Sequence, residues 1–230
     1  MSFLTFNSLL SNYLHISNIH KLYKYKRNLY KIINNSYIIN LVYISTYLYK
    51  LYKLLFLLSI KNIYITFINT LKLYDYKFIN YLLNFTNNNC FNRLWINGIM
   101  TNHNVLINSI IIYIFIKKLK LIFKINKFYK NYKSLYNKYR FIKYLKNIKF
   151  SKFLFFFNLD LNISAIKESL ITNKFIMGIC DLNFNNSLID MYVYSNNLNY
   201  KSINFILKFI ITATTHGNYI LKFKKSKKIK

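Results

Sequence analysis

Between Phe153 and Ile203 apolar and polar residues come in blocks rather than in alternation. Phe153-Leu-Phe-Phe-Phe157 and Phe175-Ile-Met-Gly-Ile-Cys180 are near-continuous apolar runs, the pattern of strands buried on both faces of a parallel sheet. Residues 163–173 between them have helical spacing, which puts Ile166, Leu170 and Ile171 on one side and Lys167 and Glu168 on another. Parallel neighbours need such a crossover, so the block reads as one βαβ unit. Asp181-Leu-Asn183 and Ser187-Leu-Ile-Asp190 then lead to a short strand, Met191–Tyr194, and a helix from about Tyr200.

Upstream, the pattern predicts a short amphipathic helix over 3–14 and a strand over 36–42. A helix over 47–59 follows, with Leu48, Leu51, Leu55 and Leu58 on one face, then a strand over 63–68 and a helix over 71–84. Thr86-Asn-Asn-Asn89 reads as a polar loop.

Residues 117–152 differ from their surroundings, with thirteen Lys or Arg and no acid. Lys124, Lys127, Lys130 and Lys133 recur every third residue, as do Arg140, Lys143, Lys146, Lys149 and Lys152. A three-residue step on a helix precesses by about 60°, so the charge spirals around the rod instead of marking one solvent face. Aromatics such as Phe128, Tyr132 and Tyr136 fill the gaps and are expected to pack together. A second basic-aromatic segment, 20–31, holds Lys21, Lys24, Lys26, Arg27 and Lys31.

The whole chain carries 34 basic and 5 acidic residues, a formal charge of +29, with 54% hydrophobic content. That apolar share excludes a disordered basic tail, because there is ample material for a core. So large a charge repels itself unless a polyanion neutralises it, and RNA is the obvious candidate. The longest uncharged stretch, 94–116, is broken by Asn97, Thr101, Asn102, Asn104 and Asn108. Its dense part, Val105 to Ile116, is short of the roughly 18–20 residues a membrane span requires, so no span is expected. The N-terminus shows no secretory pattern and no Arg- and Ser-rich presequence, which fits synthesis inside an organelle.

Catalytic chemistry has little support. His15, His20, His103 and His216 are scattered, and Cys90 and Cys180 form no Cys-x-x-Cys pair, so no metal site is expected. Asp160, Glu168, Asp181 and Asp190 lie late in the chain. At a strand end of a doubly wound fold Asp181 could serve a nucleotide, yet no Gly-x-Gly-x-x-Gly or phosphate-cradling loop accompanies it. Loop hydrogen bonds are the preferred role for Asp181 and Asp190, and no cofactor is expected. Trp95 reads as a core anchor with its indole N–H satisfied.

Several segments, in order, resemble one family. Leu154-Phe-Phe-Phe-Asn158, Ala165-Ile-Lys-Glu168, Ile179-Cys-Asp-Leu-Asn183, Leu188-Ile-Asp190, Ser195-Asn-Asn197 and Lys201-Ser-Ile203 look like the C-terminal half of the universal small-subunit ribosomal protein two. Asn92-Arg-Leu-Trp95 through Gly98-Ile-Met-Thr-Asn102 is similar to that family's Arg-Trp-x-x-Gly-x-Leu-Thr-Asn segment. Ile65-Thr-Phe-Ile-Asn-Thr70 resembles its second strand, Asn35-Ser-Tyr-Ile-Ile-Asn-Leu41 its first, and His15-Ile-Ser-Asn18 its His-x-Gly-His element. Ser17 and Asn97 stand where the family has glycines, and Phe175 and Tyr194 where it has prolines. With no proline and three glycines, and with Asn, Lys, Ile, Tyr and Phe abundant, the composition suggests an A/T-rich, mitochondrial genome.

The resemblance implies an α/β fold, a flavodoxin-like, mainly parallel sheet flanked by helices. Residues 1–101 and 153–221 would form one domain, with 102–152 an inserted basic helical hairpin and 222–230 a basic tail. It implies a structural, non-catalytic constituent of the mitochondrial small ribosomal subunit, in the matrix. Small-subunit rRNA and neighbouring ribosomal proteins would be its partners, with mRNA near its exit also within reach. The expected RNA contacts are Lys21, Lys24, Lys26, Arg27, Arg93, Lys117, Lys118, Lys124, Lys127, Lys130, Lys133, Arg140, Lys143, Lys146 and Lys149. The rival readings are a nucleotide-using enzyme of doubly wound fold and an organellar membrane-associated protein.

Overall fold

The computed structural model describes residues 4–18, 28–34, 36–70, 86, 88–92, 95–123 and 150–228. In chain order these form α1 (Phe6–Ser11), β1 (Ile16–Asn18), β2 (Leu29–Ile33), β3 (Ser36–Ile39), α2 (Leu41–Ile60), β4 (Ile65–Ile68), β5 (Asn89–Phe91) and α3 (His103–Phe123). They continue with β6 (Phe153–Phe156), α4 (Ile163–Ile171), β7 (Phe175–Cys180), β8 (Met191–Tyr194) and α5 (Tyr200–Lys228). Two compact units emerge, residues 1–95 with 151–230, and residues 96–150.

The first unit is built on a five-stranded, wholly parallel sheet of order β5-β4-β6-β7-β8. Numbered by their place in the chain, these strands run 2-1-3-4-5, the flavodoxin-like doubly wound order. Its middle strands are buried on both faces, as the apolar runs require: Ile65, Phe67, Ile68, Leu154, Phe155, Phe156, Ile176, Met177 and Ile179 are all sealed from solvent. Phe67, Phe155 and Phe157 pack as an aromatic cluster, with centroids 5.4–6.1 Å apart. Gly178 is opposite Phe156. A Cβ there would meet the Phe156 carbonyl oxygen at 2.7 Å and Leu159 at 2.8 Å, so the approach needs glycine.

One face of the sheet is covered by α2 and α5. Asn40 caps α2 by accepting the Val42 N–H at 3.0 Å. The helix then buries Ile44, Leu48, Leu51, Leu55 and Leu58, packing against α5 and β8. By length and composition α2 is long and apolar enough to cross a membrane. Its leucine stripe is turned into the protein, while Val42, Tyr43, Tyr49 and Leu57 on its other side are exposed. Thr66 and Ser151 tie β4 to the chain entering β6: Ser151 N–H donates to Thr66 Oγ1 at 2.9 Å, and Thr66 Oγ1 donates to Ser151 Oγ at 2.9 Å.

Several expectations are corrected. Ser36–Ile39 is a strand, but it does not join the parallel sheet; it is the centre of a separate antiparallel sheet of order β1-β3-β2. The following helix starts at Leu41, six residues before the expected start, because Asn40 supplies the cap. The loop read over Thr86–Asn89 ends in a strand that was not expected: Asn89–Phe91 pairs in parallel with β4 at the edge of the sheet. On α4 the buried residues are Ala165, Ile166, Glu168 and Ser169, while Ile171 is 72% exposed. Glu168 turns inward because its Oε1 accepts the Trp95 indole N–H at 3.2 Å. The expected helix over 71–84 lies outside the described residues.

In the second unit, Gly98 (φ 90°) opens a turn closed by Asn102 N–H donating to the Gly98 carbonyl at 2.8 Å. Then α3 runs to Phe123, so residues 117–123 are helical; the rest of the expected hairpin, 124–149, lies outside the described residues.

At Gly217 α2 and α5 approach closely. A Cβ there would stand 2.5 Å from Ser59 Cβ and 2.7 Å from the Phe56 carbonyl oxygen. Replacement by alanine gains about 1 kcal/mol in helix propensity, but overpacking costs roughly 1–3 kcal/mol. Gly217→Ala is expected to lower the urea unfolding midpoint. A midpoint that rises would show that the two helices separate freely.

Candidate nucleic-acid interface

The C-terminal ends of the parallel strands form a polar rim. The strand order reverses between β4 and β6, where doubly wound folds bind ligands. Here Asn162, from the turn after β6, donates to Thr70 Oγ1 at 2.9 Å and to the Asn158 carbonyl at 2.5 Å. Asn158 Oδ1 accepts the Leu161 N–H at 3.0 Å. These groups bond to one another at the rim.

Beyond β7, the Asp181 carboxylate accepts the Leu182 N–H at 2.8 Å and the Ser17 hydroxyl, tying β1 of the antiparallel sheet to the parallel one. Asp160 Oδ2 accepts the Asp181 N–H at 3.2 Å and the Asn197 side-chain amide. Asp190 Oδ2 accepts the Ile176 N–H at 2.7 Å. The expected loop roles of Asp181 and Asp190 are therefore seen directly. The structure also shows an Asp160–Asn197 link, whose only sequence signal is polar residues following each apolar run.

Burial raises the Asp160 carboxyl from its ordinary 3.8 to about 6, and the Asp181 charge adds to the rise. Burial likewise pushes the Cys90 thiol up to about 12 and the Cys180 thiol well above its ordinary value. Both cysteines are free and held as thiols rather than the thiolates that nucleophiles and metal ligands require. Among the described residues no cluster of His, Cys, Asp or Glu could hold a metal ion.

Of the expected RNA contacts, Lys117 and Lys118 are exposed on α3. Lys21, Lys24, Lys26, Arg27, Arg93, Lys124, Lys127, Lys130, Lys133, Arg140, Lys143, Lys146 and Lys149 lie outside the described residues. The first unit adds exposed lysines that sequence reading did not single out, including Lys50 and Lys53 on α2 and Lys201 and Lys208 on α5. Lys201 Nζ stands 5.3 Å from the ring centroid of Tyr13, a cation–π contact.

Compared with protein families, residues 9–217 match the one described as ribosomal protein S2. The chain belongs to the ribosomal protein S2 family. Compared with individual curated proteins, it has no match. Membership makes it a small-subunit ribosomal protein of the translation machinery, and the family's role is structural rather than enzymatic. The S2 match spans both units and the whole polar rim. Ser17 is buried and bonded to Asp181.

The raised Asp160 pKa fixes the sign of one pH effect. Between about 3.8 and 6 the folded state keeps a proton that the unfolded state releases, so this group's contribution to stability falls as pH rises through that window. Asp160→Asn keeps an acceptor oxygen and removes the titration. Relative to the parent chain, the variant should gain stability as pH rises from about 4 to 7. Urea unfolding at several pH values checks this, and parallel curves for the two proteins would contradict it.

Proposed function

We propose that this S2-family protein is a structural component of a mitochondrial small ribosomal subunit, binding small-subunit rRNA and neighbouring ribosomal proteins without catalysing a reaction. The observation that carries the reading is the family match over residues 9–217 in a chain of charge +29. A charge of that size on a folded α/β protein calls for a polyanionic partner. The A/T-rich residue usage supports the mitochondrial origin. Lysine and arginine contacts to phosphate would supply affinity, with RNA shape rather than base edges giving specificity. By family resemblance, the protein would sit near the mRNA exit.

Within this reading, 102–152 is a docking insert that the sheet does not need for closure. Its lysines have no acidic partners in the segment, so favourable electrostatics must come from outside. Replacing Lys124, Lys127, Lys130 and Lys133 by Gln should leave thermal stability unchanged or slightly raised, through reduced self-repulsion. The same variant should be depleted from the small-subunit peak when organelle lysate is sedimented. A variant that unfolds, or that co-sediments like the parent, would overturn this role. Failure of the parent chain itself to co-sediment would overturn the ribosomal placement.

A further inference from the structure

The outer face of α5 has a feature that the family assignment does not address. The helix carries seven lysines in its 29 residues and no acid. Its inner face is occupied: Ile203, Ile206, Leu207, Ile210, Ala213 and Thr214 are buried. Lys201, Lys208 and Lys222 are exposed. They are separated by one and two heptads, and each heptad returns to within about 20° of the same direction. At 1.5 Å per residue, Lys201 and Lys208 lie about 10 Å apart along the axis, and Lys201 and Lys222 about 31 Å.

The helix packed beside this stripe, α2, brings no acid to it. The five acids are Asp75, Asp160, Glu168, Asp181 and Asp190, so residues 1–74 and 191–230, which supply α1, α2 and α5, contain none. A charge run on a helix is most simply a solvated face, but here the stripe also has a shaped seat. A cleft of about 230 Å³ lies between the turn after α1 and α5, lined by Lys201 and Lys208 with Asn12, Asn204, Phe205 and Thr212. It combines two ammonium groups, polar side chains and an aromatic wall. Tyr13 lies beside Lys201, and Tyr219 is 70% exposed further along the helix. Lysines interleaved with aromatic rings suit a nucleic-acid strand, whose phosphates take the charge and whose bases stack. A lipid surface would instead require an apolar face turned outward, and the apolar face of α5 is packed against α2.

We propose that the outer face of α5, from Lys201 through Lys208 to Lys222, is an RNA-backbone contact surface, with the cleft beside Asn12 seating a phosphate. The inference rests on the reading of the protein as an rRNA-binding subunit protein and adds a contact surface within its α/β unit.

The test uses the full chain and a labelled transcript of small-subunit rRNA, titrated from about 50 to 200 mM salt. The variant Lys201→Gln/Lys208→Gln/Lys222→Gln is compared with Lys50→Gln/Lys53→Gln/Lys61→Gln, which removes the same charge from α2 and its C-terminal cap. Each lost phosphate contact reduces the slope of log affinity against log salt by roughly 0.7–0.9. The α5 variant should therefore lose about 2–3 in slope, while the α2 variant keeps most of it. Arginine in place of the same three α5 lysines should restore the slope. Equal losses in both glutamine variants, an unchanged slope in the α5 variant, or tighter binding to anionic vesicles than to the transcript would overturn the proposal. A parent chain whose affinity is flat with salt would overturn the rRNA reading itself, which separates the two failures.

Discussion

The parallel pairing of β4 with β6 is the contact on which the α/β unit depends. The chain leaves β4 after Ile68, adds β5 along one side of it, and reaches its other side only at Phe153, where Ile65 faces Phe153 and Ile68 faces Phe156. Loop closure grows slowly with length, by about 0.6 kcal/mol per doubling, so a long excursion is tolerated if the closing contacts are good. They are good here: the Thr66–Ser151 bonds fix the re-entry, and Phe67 packs on Phe155 at 5.6 Å. With β6 seated, β7 adds by its short crossover through α4, β8 follows, and α2 and α5 cover the resulting face. If β6 slipped by one residue, Gly178 would no longer lie opposite Phe156 and the close approach to the Phe156 carbonyl would be lost.

The charges are divided by location. Asp160, Asp181 and Asp190 accept backbone or side-chain N–H and O–H groups at the ends of strands, and Glu168 holds the Trp95 indole. These four acids thus organise the fold from within, while described lysines such as Lys50, Lys53, Lys117, Lys118, Lys201 and Lys208 are exposed. Such a chain is destabilised by its own field at low ionic strength. Anything that binds the folded state and brings negative charge stabilises it by mass action. For a small-subunit ribosomal protein, fold stability and assembly into the particle are therefore physically linked.

The polar rim shows how a doubly wound scaffold serves a structural role. Ligand crevices at the strand-order reversal are open where glycine-rich turns let a phosphate approach the backbone. Here Asn162 bonds to Thr70 and to the Asn158 carbonyl, and Ser17 joins the antiparallel sheet to Asp181. Hydrogen-bonding capacity that could meet a nucleotide instead fastens one part of the fold to another. Fold and function are separable in this way because chemistry resides in the side chains grafted at the rim.

Long apolar runs and their spacing were decisive wherever burial is two-sided. The strands β6, β7 and β8, the crossover helix and the start of α5 were legible because few alternatives can bury Phe153–Phe157 and Phe175–Cys180 on both faces. Charge was equally legible, since lysines need no fold to be counted. Partnership was not. Ser36–Ile39 has the same local pattern whether its neighbours are parallel or antiparallel, and only β1 and β2 decided. Asn89–Phe91 is too short and polar to read as a strand without β4 beside it. Periodicity put Ile166, Leu170 and Ile171 on one side of α4 and Lys167 and Glu168 on another, yet Ile166 and Glu168 are both buried and Ile171 is exposed, because Trp95 holds Glu168 inward. The same limit applied to the candidate interface. The lysines of α5 stand in the sequence at heptad spacing, but their outward direction follows from where α2 packs, and the Ser17–Asp181 bond joins residues far apart in the chain. Local pattern fixes what a segment can form, whereas long-range contact fixes what it faces.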